Sequence, residues 1–132
     1  MSYSYKIINS SAGSGKTFYL AIEFIAQLLN SKKDDHYKSM LALTFTNKAS
    51  AEMKDRILSY LNIIVNENEN VIIDIVSSKT TLNNTEIKEK AFIILENILY
   101  NYSSFNVMTI DSFTNNILKS FKSESDIEKD YL

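Results

Sequence analysis

"INSSAGSGKTFYL", residues 8–20, contains Gly13 and Gly15, the only 2 glycines in a chain of 132 residues that has no proline. Glycine is selected where the backbone must take positive φ or come very close to another group, and elsewhere it costs conformational entropy. Two glycines within three positions therefore predict a special backbone path with a group pressed against it. Just upstream, "YKIIN" (Tyr5 to Asn9) is a short β-branched run that reads as a buried strand. Downstream, Lys16 to Asn30 is apolar almost all round, with Glu23, Gln27 and Asn30 on one narrow stripe, the pattern of a helix packed on most sides.

This strand-to-helix pattern recurs twice. "SMLALTFT" (Ser39 to Thr46) reads as a second strand, and from Asn47 the apolar positions Ala49, Met53, Ile57, Tyr60 or Leu61, and Ile64 recur at helical spacing. "FNVMTI" reads as a third strand, followed by Phe113, Ile117, Leu118 and Phe121 on one helix face. Three such units predict an α/β fold with a parallel sheet, helices layered over it and right-handed crossovers. Residues 66–105 form a mostly helical excursion expected to pack on the sheet, its main helix capped at Thr85 and carrying Ile87, Ala91, Leu95, Ile98 and Tyr102 on one side. Residues 1–121 thus make up one domain, and residues 122–132 read as a frayed or truncated tail.

Composition limits the functional classes. Hydrophobic residues make up 45% and charged residues 23% of the chain, and the net charge of -2 gives no global basic signature. Any nucleic-acid contact must then be local. The chain has no cysteine, which removes disulfides and thiolate metal sites. Neither a signal peptide nor an 18-residue apolar run is present, so a soluble, cytoplasmic protein with no membrane partner is expected.

"SSAGSGKT" (Ser10 to Thr17) carries the GKT end of the Walker A pattern between a strand and a helix, with Ser10 where the usual form has its first glycine. In such a loop successive N–H groups curl round an anion, and the helix N-terminus adds partial positive charge. Ala12, Gly13, Ser14, Gly15, Lys16 and Thr17 are therefore the expected nucleotide site. Lys16 would reach the β- and γ-phosphates of ATP, and the Thr17 hydroxyl would ligate Mg²⁺. The group approaching the two glycines is then a triphosphate.

"LALTFTNKASAEMKDRI" (Leu41 to Ile57) closely resembles motif Ia of the UvrD/Rep/RecB group of superfamily 1 DNA helicases, and "TIDSFTNNILKSF" (Thr109 to Phe121) resembles the next motif of that group. The TIDSF form is familiar among RecB-like and AddA-like helicase-nucleases, and with the glycine loop the resemblance spans about residues 5 to 121. It implies a partial RecA-like P-loop NTPase domain, three-layered, from the N-terminal part of a larger ATP-dependent 3′-5′ DNA helicase acting in repair or recombination. It also implies single- or double-stranded DNA as partner, with a possible helicase-nuclease partner subunit. Thr44, Phe45, Thr46, Asn47, Thr109 and Ser112 take the places of contacts to single-stranded DNA, with Lys48 and Lys54 adding local charge. On the residues alone, Asn47 equally fits an N-cap, as does Asp111 or Ser112 for the last helix, and Phe45 at a strand end fits core.

Hydrolysis needs more than a phosphate cradle: an acid for Mg²⁺, a group that positions water, and usually an arginine. The only arginine, Arg56, lies within the motif Ia helix. "VIID" (Val71 to Asp74) and "VMTID" (Val107 to Asp111) imitate a Walker B strand without its DE continuation. The chain by itself is therefore expected at most to bind nucleotide. Two other readings are a small P-loop phosphotransferase or ATPase using Asp111 as its Walker B acid, and a non-catalytic nucleotide-binding module.

Overall fold

The structure, a computed structural model, describes residues 14–130, so the expected first strand, Tyr5 to Asn9, lies outside the described residues. Within them the chain is mostly helical. Helix α1 (Ser14–Asn30) leads through a single 3-10 turn at His36–Ser39 to strand β1 (Ala42–Thr44) and helix α2 (Asn47–Asn66). Helices α3 (Val71–Ser77) and α4 (Asn84–Tyr100), a second 3-10 turn at Tyr102–Ser104, strand β2 (Val107–Thr109) and helix α5 (Ile110–Asp130) follow.

β1 and β2 pair in parallel, with Ala42 opposite Val107, Leu43 opposite Met108 and Thr44 opposite Thr109. The parallel α/β character expected from the sequence is therefore present, though each strand is only 3 residues long. Three rungs cannot hold themselves together, and the register is pinned from outside. Ala42 N–H donates to the Asn106 carbonyl at 3.0 Å, and Asn106 Nδ2 donates to the Lys38 carbonyl at 3.2 Å. Tyr37, fully buried, donates its hydroxyl to the Asn97 carbonyl at 2.9 Å.

The core is built by helices. Met53, Ile57, Leu61 and Ile64 form the buried face of α2, and all four are positions that the helical spacing predicts. They meet Ile87, Ala91, Ile94 and Ile98 of α4. Lys88 hydrogen-bonds Asn68 past one end of this pair while Lys54 stands over Tyr102 at the other, so α2 and α4 run antiparallel. Each buried aliphatic side chain contributes roughly 1.5–3 kcal/mol. α1 lies against both helices and buries Ala21, Ile22, Phe24, Ile25, Leu28 and Leu29, and Phe24 meets Phe105 edge-on at 5.8 Å just before β2. Among the described residues, every buried side-chain nitrogen or oxygen has a hydrogen-bond partner.

Three local expectations are corrected. The cap of α4 is Asn83, not Thr85: Asn83 Oδ1 accepts from Glu86 N–H at 2.9 Å, and Glu86 Oε1 accepts from Asn83 N–H at 3.1 Å. This capping box satisfies two orphan amides at once, which a threonine inside the helix cannot do. "VIID" is the start of α3, capped by Asn70. The excursion packs mainly on α1 and α2 and not on the sheet, because its apolar residues fill the helical core; Lys79 also bridges Glu23 at 2.6 Å. The apolar residues of α5 do share a face, but Ile117, Leu118 and Phe121 are exposed, and burial falls off after Phe113.

Ile57→Ala should destabilise the chain by about 2–5 kcal/mol, because the fully buried site cannot collapse around the cavity. Asn83→Ala should cost about 1 kcal/mol. Urea unfolding followed by circular dichroism checks both, and the order of the two effects tests whether the α2–α4 interface is the main source of stability.

Candidate functional site

Two places carry the residues that the sequence singles out. The first is the start of α1. Ala12 and Gly13 lie outside the described residues, while Ser14, Gly15, Lys16 and Thr17 form the first helical turn. Gly15 does not take positive φ, contrary to one of the two reasons for expecting glycine there, since it lies inside a helix. A Cβ placed on it would meet nothing within 4 Å. The space beside this amide is open. Lys16 is exposed, Thr17 is half-buried, and no acidic side chain occupies the first turn. These residues fit an anion: the first amides of a helix lack internal acceptors and carry partial positive charge.

The second place is the carboxyl end of the two strands. Only Phe45 and Thr46 separate β1 from α2, and nothing separates β2 from α5. So tight a passage requires a hydroxyl to close each helix. Thr46 Oγ1 accepts from Ala49 N–H at 3.0 Å, which makes Thr46 the N-cap and Asn47 the first helical residue. Thr109 Oγ1 accepts from Ser112 N–H at 3.1 Å and donates to Ser112 Oγ at 2.9 Å. Capping at both helices thus falls one or more residues earlier than Asn47 and Asp111 or Ser112. Thr44 Oγ1 donates to the Thr46 carbonyl at 3.1 Å and is also hydrogen-bonded to Ser50 Oγ, which must therefore be the donor of that pair.

This sorting decides which groups can meet a ligand. The hydroxyls of Thr44, Thr46 and Thr109 are committed to the fold, and Thr109 is buried. Outward-facing chemistry falls to the Asn47 side chain, the Asn47 and Lys48 amides that have no intrahelical acceptor, the remaining Ser112 hydroxyl proton, and Phe45. Phe45 is 82% exposed, so it is not a core residue. Asn47, Thr109 and Ser112 also line a shallow recess of about 360 Å³ between α2 and β2, together with Lys54, Asp55 and Tyr102. Nothing in the sequence marked Tyr102 or Asp55 for this place. Asp111 stands exposed in the first turn of α5, where an acid complements the helix dipole.

The two places are not one site. Phe18, near the start of α1, meets Tyr60 edge-on at 5.8 Å, and Tyr60 lies about 20 Å along α2 from Asn47. α2 is the element they share. Among the described residues no group of three or more His, Cys, Asp or Glu side chains gathers to hold a metal, and no helix is long and apolar enough to cross a membrane.

The glycine turn, the strand-end cluster and their order along the chain match a known pattern: the model of the UvrD/REP helicase N-terminal domain covers residues 3–132. The chain belongs to this family. Among similar proteins of this UvrD/REP type are an ATP-dependent helicase/nuclease subunit from Listeria monocytogenes serotype 4b, 28% identical over 95% of the chain and 8% of that protein, and its counterpart from Natranaerobius thermophilus, 27% identical over 96% and 8%. The RecB subunit of the RecBCD enzyme from Buchnera aphidicola subsp. Baizongia pistaciae is 33% identical over 92% of the chain and 11% of that protein. The chain therefore spans roughly a tenth of the length of these relatives, 8% to 11%. No solved structure matches it significantly.

If Thr46 is a cap and Asn47 is not, Thr46→Ala should lower stability by about 1 kcal/mol, while Asn47→Ala should change it by less than about 0.5 kcal/mol. Thermal unfolding of the two variants side by side gives the answer. Equal losses would return the capping role to Asn47.

Proposed function

We propose that the chain forms the ATP-binding N-terminal portion of an ATP-dependent DNA helicase of the helicase-nuclease type, acting in repair or recombination and moving 3′ to 5′ on single-stranded DNA. The domain reading, residues 1–121 as part of a RecA-like, three-layered P-loop domain, belongs to the same proposal. Family membership supports it, and so does the division of labour at the strand ends. The observation that carries the DNA part is the exposed ring of Phe45, set at the carboxyl end of the sheet beside the N-terminus of α2.

In this reading the Ser14 and Gly15 amides and the Lys16 ammonium hold the terminal phosphates, with Ala12 and Gly13 completing the turn by motif, and the Thr17 hydroxyl offers an oxygen ligand to magnesium. ATP, when bound, supplies the free energy of phosphoanhydride hydrolysis. At the strand ends the Phe45 ring offers a stacking face to a base. Asn47, Lys48 and Ser112 offer donors to phosphate oxygens, while Thr44, Thr46 and Thr109 hold these groups in place. None of these groups reads base identity, which suits a motor that must accept any sequence. A helicase-nuclease partner subunit belongs to the same proposal, on the names of the relatives.

Phe45→Ala should weaken oligothymidylate binding by about 1–3 kcal/mol, a loss of roughly 5- to 150-fold, read by fluorescence anisotropy at low salt. Lys16→Ala should abolish the rise in melting temperature that magnesium-ATP produces and leave oligothymidylate binding unchanged. Wild-type affinity for the oligonucleotide in Phe45→Ala would refute the DNA reading. A persisting ATP shift in Lys16→Ala would refute the nucleotide reading.

A further inference from the structure

The recess beside α2 continues past the strand ends, and its far part holds a pair that no motif includes. Lys54 lies two helical turns, about 10 Å, along α2 from Asn47. Its ammonium stands 5.2 Å from the centroid of the Tyr102 ring. That ring is anchored below by Phe105, which is buried and meets it edge-on at 6.0 Å, while Tyr102 itself remains 43% exposed. Lys54, Tyr102 and Asn47 line the same recess. Tyr102 thus presents an aromatic face backed by the core, and Lys54 lies over it at the edge of a surface whose other end is the α2 N-terminus.

We infer that Lys54 is a phosphate contact for the single strand, and that Tyr102 is a positioning residue that holds the Lys54 ammonium at the rim of the recess. The inference rests on the strand-end reading given above and extends it by one backbone contact. A free lysine side chain loses on the order of 2 kcal/mol of rotamer freedom when it is fixed on a phosphate. Lying over an aromatic face restricts that freedom in advance, and the ring quadrupole attracts the ammonium without neutralising it. Asp55 lines the same recess and opposes any accumulation of phosphate, so the gain is limited to a single contact. Lys48 is exposed at the first turn of α2, and Arg56, two residues on from Lys54, faces away from it on the helix.

The test uses the full 132-residue chain and oligothymidylate, with affinity measured by anisotropy between ~50 and ~200 mM salt. Lys54→Met keeps the side-chain stem and removes the charge. It should make the slope of log K against log salt shallower by ~0.7, the value for one phosphate on a single strand, at an unchanged melting temperature. Tyr102→Leu should weaken binding about 2- to 5-fold, Tyr102→Phe should restore wild-type binding, and Tyr102→Leu should add nothing in the Lys54→Met background.

An unchanged slope in Lys54→Met overturns the phosphate contact, even if Tyr102→Leu proves too unstable to measure. A Tyr102→Leu effect of the same size with and without Lys54 overturns the positioning role, because a purely structural aromatic would give that result. If Phe45→Ala weakens binding while Lys54→Met leaves the slope alone, this inference fails and the strand-end reading stands. If neither variant alters binding, both fail.

Discussion

Everything at the strand ends depends on keeping two three-residue strands parallel and in register across a long crossover. Parallel strands cannot be joined by a hairpin, so residues 45–106 must leave the sheet and return. The entropy of closing that loop is recovered by what it contains: α2 and α4 bury their apolar faces against each other and against α1 before the chain re-enters at Val107. The side-chain tie from Asn106 to Lys38 and the buried Tyr37 hydroxyl on Asn97 then fix the offset. A slip of one residue would turn Ala42 and Val107 out of the core and separate Thr44 from Thr109. The helical core is therefore what aligns the functional edge, although none of its residues stands at that edge.

With the register fixed, the passage from strand to helix leaves little freedom. α2 begins after two connecting residues and α5 after none, so the hydroxyl of a strand-end threonine or its neighbour is the nearest acceptor for the first helical amides. Threonine serves twice here because it suits both halves of the junction: its β-branch favours the extended residue, and its oxygen caps the helix. A hydroxyl used in this way is no longer a good ligand donor. The polar residues of the motif accordingly divide into those that build the edge and those that face outward from it.

Periodicity made much of this legible. The buried positions of α2 follow the apolar spacing, and the polar stripe of α1 marks the one side left unburied, because burial along a helix is a one-dimensional pattern. Caps were harder to place, since Asn47 and Thr85 are capping residue types close to the true caps, and only the backbone geometry of Thr46 and Asn83 decides between neighbours. "VIID" shows the ambiguity of a short β-branched run, which a good N-cap at Asn70 turns into a helix. The Lys54–Tyr102 pair could not be seen at all: the two residues lie on different elements and meet only because α2 and α4 pack antiparallel.

Phe45 shows how geometry and residue choice separate. Thr44 is turned toward Ser50 and its strand partner Thr109, and Thr46 is held by its cap, so the side chain between them must point away from the sheet whatever it is. The fold thus explains why position 45 is exposed, but not why it is aromatic. Leaving a large ring in water forgoes the roughly 1.5–3 kcal/mol that burying one yields, and a polar residue would sit there at no such loss. Packing within the chain gives no reason for the choice. A flat apolar surface beside two unpaired helix amides gives one, because a nucleotide presents a π-face and a phosphate together and would use both.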